Sequence, residues 1–144
     1  MSWRADARLV GLDPNDVTDA TEGTEFHVPD HDEPEWKELL KGATIGDGSN
    51  CIGARCALRY IPGADWVHIG ASVAVVHYTD GRLLRYLHNG IIPKAQDEGH
   101  YPPPGQHTLR VPYPQAQLGA SRPTGPKKRK STTRTASWAA KLRA

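Results

Sequence analysis

Thr79-Asp80-Gly81-Arg82 stands between two apolar runs, and this turn constrains the fold more than any other feature of the chain. Asp-Gly is a favoured pair for a two-residue type I′ turn, whose central residues need positive φ. Such a loop predicts a register in which Thr79 faces Arg82, Tyr78 faces Leu83, Val76 faces Arg85, Val75 faces Tyr86 and Val73 faces His88. Asn89-Gly90 predicts a second reversal that returns Ile91 and Ile92 as a third strand. One face then carries Val73, Val75, Leu84 and Tyr86, the other Ala74, Val76, Tyr78, Leu83 and Leu87. Both faces are apolar, so both need cover.

One helix is predicted over residues 33–41. Asp32 serves as N-cap, Glu33 and Pro34 suit the first turn, and Trp36, Leu39 and Leu40 fall at i, i+3, i+4 before Gly42. Glu33, Glu35 and Glu38 toward its start and Lys37 and Lys41 toward its end match the helix dipole. Residues 7–12 and 24–28 read as short strands, and the glycine-rich stretch 42–56 reads as a loop. Residues 101–105 read as polyproline II acting as a stiff spacer, and 108–111 as an edge strand. The Ile45-Gly46 and Ile52-Gly53 pairs lie seven residues apart and do not recur, which argues against a stacked coil of repeats. The expected fold class is α+β, mostly β: a small antiparallel β-meander or small barrel with one packed helix and an extended basic C-terminal arm.

Charge divides the chain. Residues 121–144 hold eight lysines and arginines and no acid, while the 120 residues before them hold ten basic residues and all sixteen acids, so a tail of +8 follows a body of −6. This predicts a small β-rich domain over 1–114 with an acidic N-terminal stretch, a Pro/Gly linker over 115–126, and a basic arm over 127–144. The arm is expected to be able to form a short terminal helix with Trp138 and Leu142 at i, i+4, although helices this short are marginal in water. Twelve prolines and fourteen glycines beside one Met and one Phe leave a small core, which favours an oligomer or hetero-assembly. No apolar run approaches the roughly 20 residues of a membrane span, and the charged N-terminus is no signal peptide. The chain is expected to be soluble, intracellular or within a virion, with no membrane partner.

The arm supplies the first candidate site. Arg122, Lys127, Lys128, Arg129, Lys130, Arg134, Lys141 and Arg143 suit phosphate contact with DNA or RNA, or contact with an acidic protein surface. Trp138 is available to stack on a base or to pack on protein. A second set, His27 and His31 with Cys51 and Cys56, has ligand types suited to zinc. Pro29 interrupts the first pair and four residues separate the second, so buried thiols and surface imidazoles are the better reading, and no cofactor is expected. Histidines also invite a nuclease reading through His77, His88, His100 and His107, but the hairpin leaves His77 and His88 about 13 Å apart. No phosphate-binding loop, nucleophile elbow or helical His-Glu-x-x-His is present.

The expectation is therefore a non-enzymatic structural or assembly subunit of a larger particle, such as a viral capsid or head-to-tail connector component. Its body would dock on protein subunits while the arm reaches a neighbour or a nucleic acid. A free-standing nucleic-acid-binding protein is the alternative, ahead of a zinc-stabilised module or a nuclease.

Overall fold

The computed structural model describes residues 2–112 and forms them into an α+β fold. In chain order the elements are α1 (Trp3–Leu9), a 3-10 turn (Pro14–Asp16), β1 (Thr18–Asp19), β2 (Thr24–Val28), α2 (Pro34–Lys41), α3 (Ile52–Tyr60), β3 (Ala64–Ile69), β4 (Val73–Tyr78), β5 (Leu83–Leu87), α4 (Ile91–Asp97) and β6 (Gly105–Leu109). Four strands form a sheet in the order β1-β5-β4-β3, antiparallel except for the parallel β1–β5 pair. The remaining two, β2 and β6, pair antiparallel as a separate ribbon. Among the described residues no helix is long and apolar enough to cross a membrane.

The hairpin forms at Asp80-Gly81, but one residue out of the expected register. Gly81 N donates to Tyr78 O at 2.9 Å and Tyr78 N donates to Arg82 O at 2.8 Å, with Gly81 at φ 101°. This is a turn followed by a glycine bulge, a three-residue loop instead of two. The Asp80 carboxylate holds the turn by accepting from Arg82 N at 3.1 Å. Pairing becomes Val76↔Leu84, Ala74↔Tyr86 and Val73↔Leu87. Because side chains alternate with a period of two, the slip exchanges the faces of β5. Leu84 and Tyr86 therefore join Ala74, Val76 and Tyr78, while Leu83 joins Val75 on the other side.

The first of these faces holds the core. Val67, Ile69, Ala74, Val76, Tyr78 and Tyr86 are buried with Ile52, Ala54, Cys56 and Ala57 of α3, Trp36 and Leu39 of α2, and Phe26, Val28 and Leu109 of the ribbon. Gly53 admits this packing, since a Cβ there would stand 2.6 Å from Ile92 Cγ2. On the opposite face α1 lies against β3, with Ala7 fully buried.

The expectation of a mostly β fold with one packed helix is corrected: the described residues form four α-helices. Residues 7–12 are not a strand: α1 occupies Trp3–Leu9, its first turn capped by Ser2 Oγ accepting from Ala5 N at 3.3 Å. Residues 52–56 are not loop but the start of α3, whose N-cap is Cys51 Sγ accepting from Ala54 N at 3.4 Å. Ile91 and Ile92 begin α4 and not a third strand, because Gly90 at φ 80° and the Asn89 side chain, accepting from Ile91 N at 3.1 Å, start a helix. The helix over Pro34–Lys41 agrees with expectation, although Glu33 and not Asp32 holds its N-cap position. The last strand lies earlier than 108–111, at Gly105–Leu109. The prolines before it are no spacer within the body: Pro102 is buried and its carbonyl accepts from His31 Nε2 at 2.9 Å.

Candidate functional site

Arg122, Lys127, Lys128, Arg129, Lys130, Arg134, Trp138, Lys141 and Arg143 lie outside the described residues. The structure does not bring the four metal candidates together. His31 stacks on Trp36 with ring centroids 4.3 Å apart, while His27 meets the edge of Tyr60 at 5.4 Å. Cys51 caps α3, and burial pushes the Cys56 thiol up to about 12. Among the described residues no three His, Cys, Asp or Glu side chains converge. Three other imidazoles have separate bonds. His77 Nδ1 meets Asp65 Oδ1 at 2.5 Å, His107 Nε2 donates to Pro103 O at 2.7 Å, and His88 Nε2 donates to Gly70 O at 2.8 Å.

The stretch read only as a glycine-rich loop presents the feature that does point outward. Ile45 is 86 % exposed, although its loop is tightly tied. Asp47 N donates to Thr44 O at 3.3 Å around Gly46 at φ 83°, and Asn50 N donates to Asp47 O at 3.0 Å, so two turns follow one another. Thr44 N donates to Asn50 O at 2.8 Å, which closes the base. Asn50 Nδ2 donates to Gly42 O at 2.9 Å and Thr44 Oγ1 at 3.0 Å. From below, Arg55 Nε donates to Leu39 O at 2.7 Å and Nη1 to Asn50 Oδ1 at 3.2 Å. A loop pinned in this way holds its apolar tip in water at a cost, which makes the exposure informative.

Polar bonds join this loop to α1 and β3. Asp6, 6 % exposed, accepts from His68 Nδ1 at 2.9 Å and from Ser49 Oγ at 3.2 Å. A carboxylate only accepts, so Nδ1 carries the hydrogen; burial holds the imidazole below its ordinary pKa against the pull of Asp6. Ser49 and His68 both bond to the carboxylate and not to each other, so this is a tether between elements and not a nucleophile with its base. Gly48 makes it possible, since a Cβ there would lie 2.4 Å from the imidazole Cε1.

Three concavities meet at Ile45. The first, about 340 Å³, is lined by Asp47, His68, Pro93, Gln96 and Asp97. The second, about 290 Å³, is mostly apolar, with Leu40, Ala43, Ile52 and Tyr101. The third, about 390 Å³, lies between Ile45 and exposed Leu9 and Val10, with Asp6 and Asp47 on its wall. None of the three is lined by lysine or arginine. The surface is apolar with acidic margins, a composition suited to a protein segment and hostile to phosphate. Comparison with protein-family models, curated proteins and solved structures gives no match for the chain. Sequence reasoning missed this site because Ile45 sits among glycines, where an isolated apolar residue carries no periodic signal.

Proposed function

We propose that this protein is a non-enzymatic structural or assembly subunit of a larger particle, whose body docks on protein through the surface around Ile45. The observation that carries the reading is the 86 % exposure of Ile45 on a loop pinned at both ends, with exposed Leu9 and Val10 across the adjoining groove. Exposed apolar side chains grouped around concavities favour a protein partner, whereas isolated ones need no explanation. A body of ten basic and sixteen acidic residues followed by a tail, residues 121–144, of eight basic ones suits a subunit that meets other copies or other acidic partners.

The test is size fractionation of extracts from the native source after mild cross-linking. The wild-type chain is expected in fractions far above monomer mass, and Ile45→Lys in the monomer fraction with unchanged circular dichroism. Monomeric wild-type chain, or Ile45→Lys in the same large fractions, overturns the reading.

A further inference from the structure

The acidic and apolar surface around Ile45 is the complement of one segment of the same chain. Residues 134–143 read Arg-Thr-Ala-Ser-Trp-Ala-Ala-Lys-Leu-Arg. They offer two large apolar side chains, Trp138 and Leu142, spaced four apart, with three cations and no acid. The surface offers Ile45, Leu9 and Val10 beside Asp47 and Asp97, and no lysine or arginine on its concave walls. We propose that residues 134–143 of a second copy of this chain dock on the Ile45 surface, so that copies associate arm to body; this rests on the assembly reading above.

Three arguments select this occupant. The Lys127-Lys128-Arg129-Lys130 run has charge but no apolar side chain to cover Ile45, whereas 134–143 has both. The groove between Leu40, Ala43, Ile52 and Tyr101, about 290 Å³, has Gln96 and His100 at its wall but no carboxylate, lysine or arginine, and so takes an indole without burying an unpaired carboxylate or ammonium. The adjoining concavity, which shares Ile45 with it, carries Asp47 and Asp97 on its wall as carboxylate partners for Lys141 and Arg143. A nucleic acid is a poor occupant of this surface, because its phosphates would face those carboxylates.

An arm on one copy and a receiving surface on the next form a heterologous contact, in which the two sides are different patches. Such a contact can be tested by complementation in the full-length chain. One variant, Ile45→Lys/Asp97→Lys, damages the receiving surface at two exposed positions. The other, Trp138→Ala/Leu142→Ala/Lys141→Glu, damages the arm. In sedimentation experiments at moderate salt, after nuclease treatment, the wild type is expected to associate with concentration. Each variant alone is expected to weaken association about tenfold or more. An equimolar mixture of the two should form a one-to-one dimer, because each supplies the side the other lacks.

Wild-type-like association of the arm variant overturns the proposal. If the receiving-surface variant is then monomeric, docking through Ile45 stands with another occupant; if it too associates normally, the Ile45 reading falls as well. A wild type that stays monomeric at all concentrations, or associates only when nucleic acid is restored, also overturns the proposal.

Discussion

The hydroxyls of Tyr78 and Tyr86 meet at 2.5 Å inside the core. Their positions on β4 and β5 share a face only because of the glycine bulge at Gly81, and the Val76–Leu84 pair stands between them. Burial, then the bond to Tyr78, pushes the Tyr86 phenol well above the ordinary tyrosine range, and one hydroxyl of the pair donates to the other. Tyr78→Phe leaves the Tyr86 hydroxyl without this partner and should cost about 1–3 kcal/mol. Replacing both with Phe should recover most of that loss. Urea denaturation of the two single variants and the double variant checks this, and additive losses would show that the bond contributes nothing.

That same bulge marks the limit of what the sequence made legible. Asp80-Gly81 located the hairpin, but glycine at that position suits both a two-residue turn and a bulged three-residue one, and only the buried partners of Leu84 and Tyr86 decide between them. The helix at 34–41 was readable because Trp36 and Leu39 are large, periodic and preceded by Pro34. By contrast, α3 buries Gly53, Ala54, Cys56 and Ala57, small residues whose value lies in close approach to the sheet and in no strong local preference. The Ile45 surface was illegible for a related reason. Its residues come from all four helices, the loop before α3, β3 and the segment after α4, and only the fold makes them neighbours.

Acid should weaken the fold below about pH 6.5. Burial holds both His68 and His88 below the ordinary histidine value of 6.5. For His68 the Asp6 carboxylate opposes the effect, and for His88 the bond to Gly70 opposes it while Arg110 reinforces it. The unfolded chain therefore binds more protons than the folded one between the folded and unfolded values. Stability is fully present above the unfolded value and is lost as pH falls through the folded one. His88 also accepts from Gly90 N at 3.0 Å on Nδ1, a bond that protonation destroys. Urea midpoints should fall from pH 7.5 to pH 5, and by less in His88→Gln, which has no titrating ring; an equal fall in the variant would remove His88 from the account.

Arg55 links α3 to the end of α2 and to the loop that carries Ile45. Arg55→Ala removes donors to Leu39 O and Asn50 Oδ1 and should cost about 1–3 kcal/mol. The consequence for the site is a looser base to residues 42–50. Hydrogen exchange should accelerate at the Thr44 and Asn50 amides while β4 and β5 keep their protection. Arg55→Lys should not restore it, because an ammonium cannot reach two acceptors with the planar fork of a guanidinium. Unchanged exchange at Thr44 in Arg55→Ala would show that the loop is held by its own turns alone.

Asp6 ties three elements, since its carboxylate accepts from His68 of β3 and from Ser49 of the Ile45 loop while its own backbone lies in α1. Asp6→Ala strands the His68 Nδ1 hydrogen at a site where the side chain is only 6 % exposed, and should cost about 2–3 kcal/mol. Asp6→Asn keeps an acceptor oxygen for Nδ1 and should cost less. The two variants differ further in what they do to the site. With Ala, α1 loses its polar anchor, so Leu9 and Val10 shift relative to Ile45 and arm-to-body association should weaken even in buffers where the fold survives. With Asn, association should stay near wild type. Thermal unfolding and sedimentation of both variants check the pair of expectations, and equal association by the two would separate the tether from the docking surface.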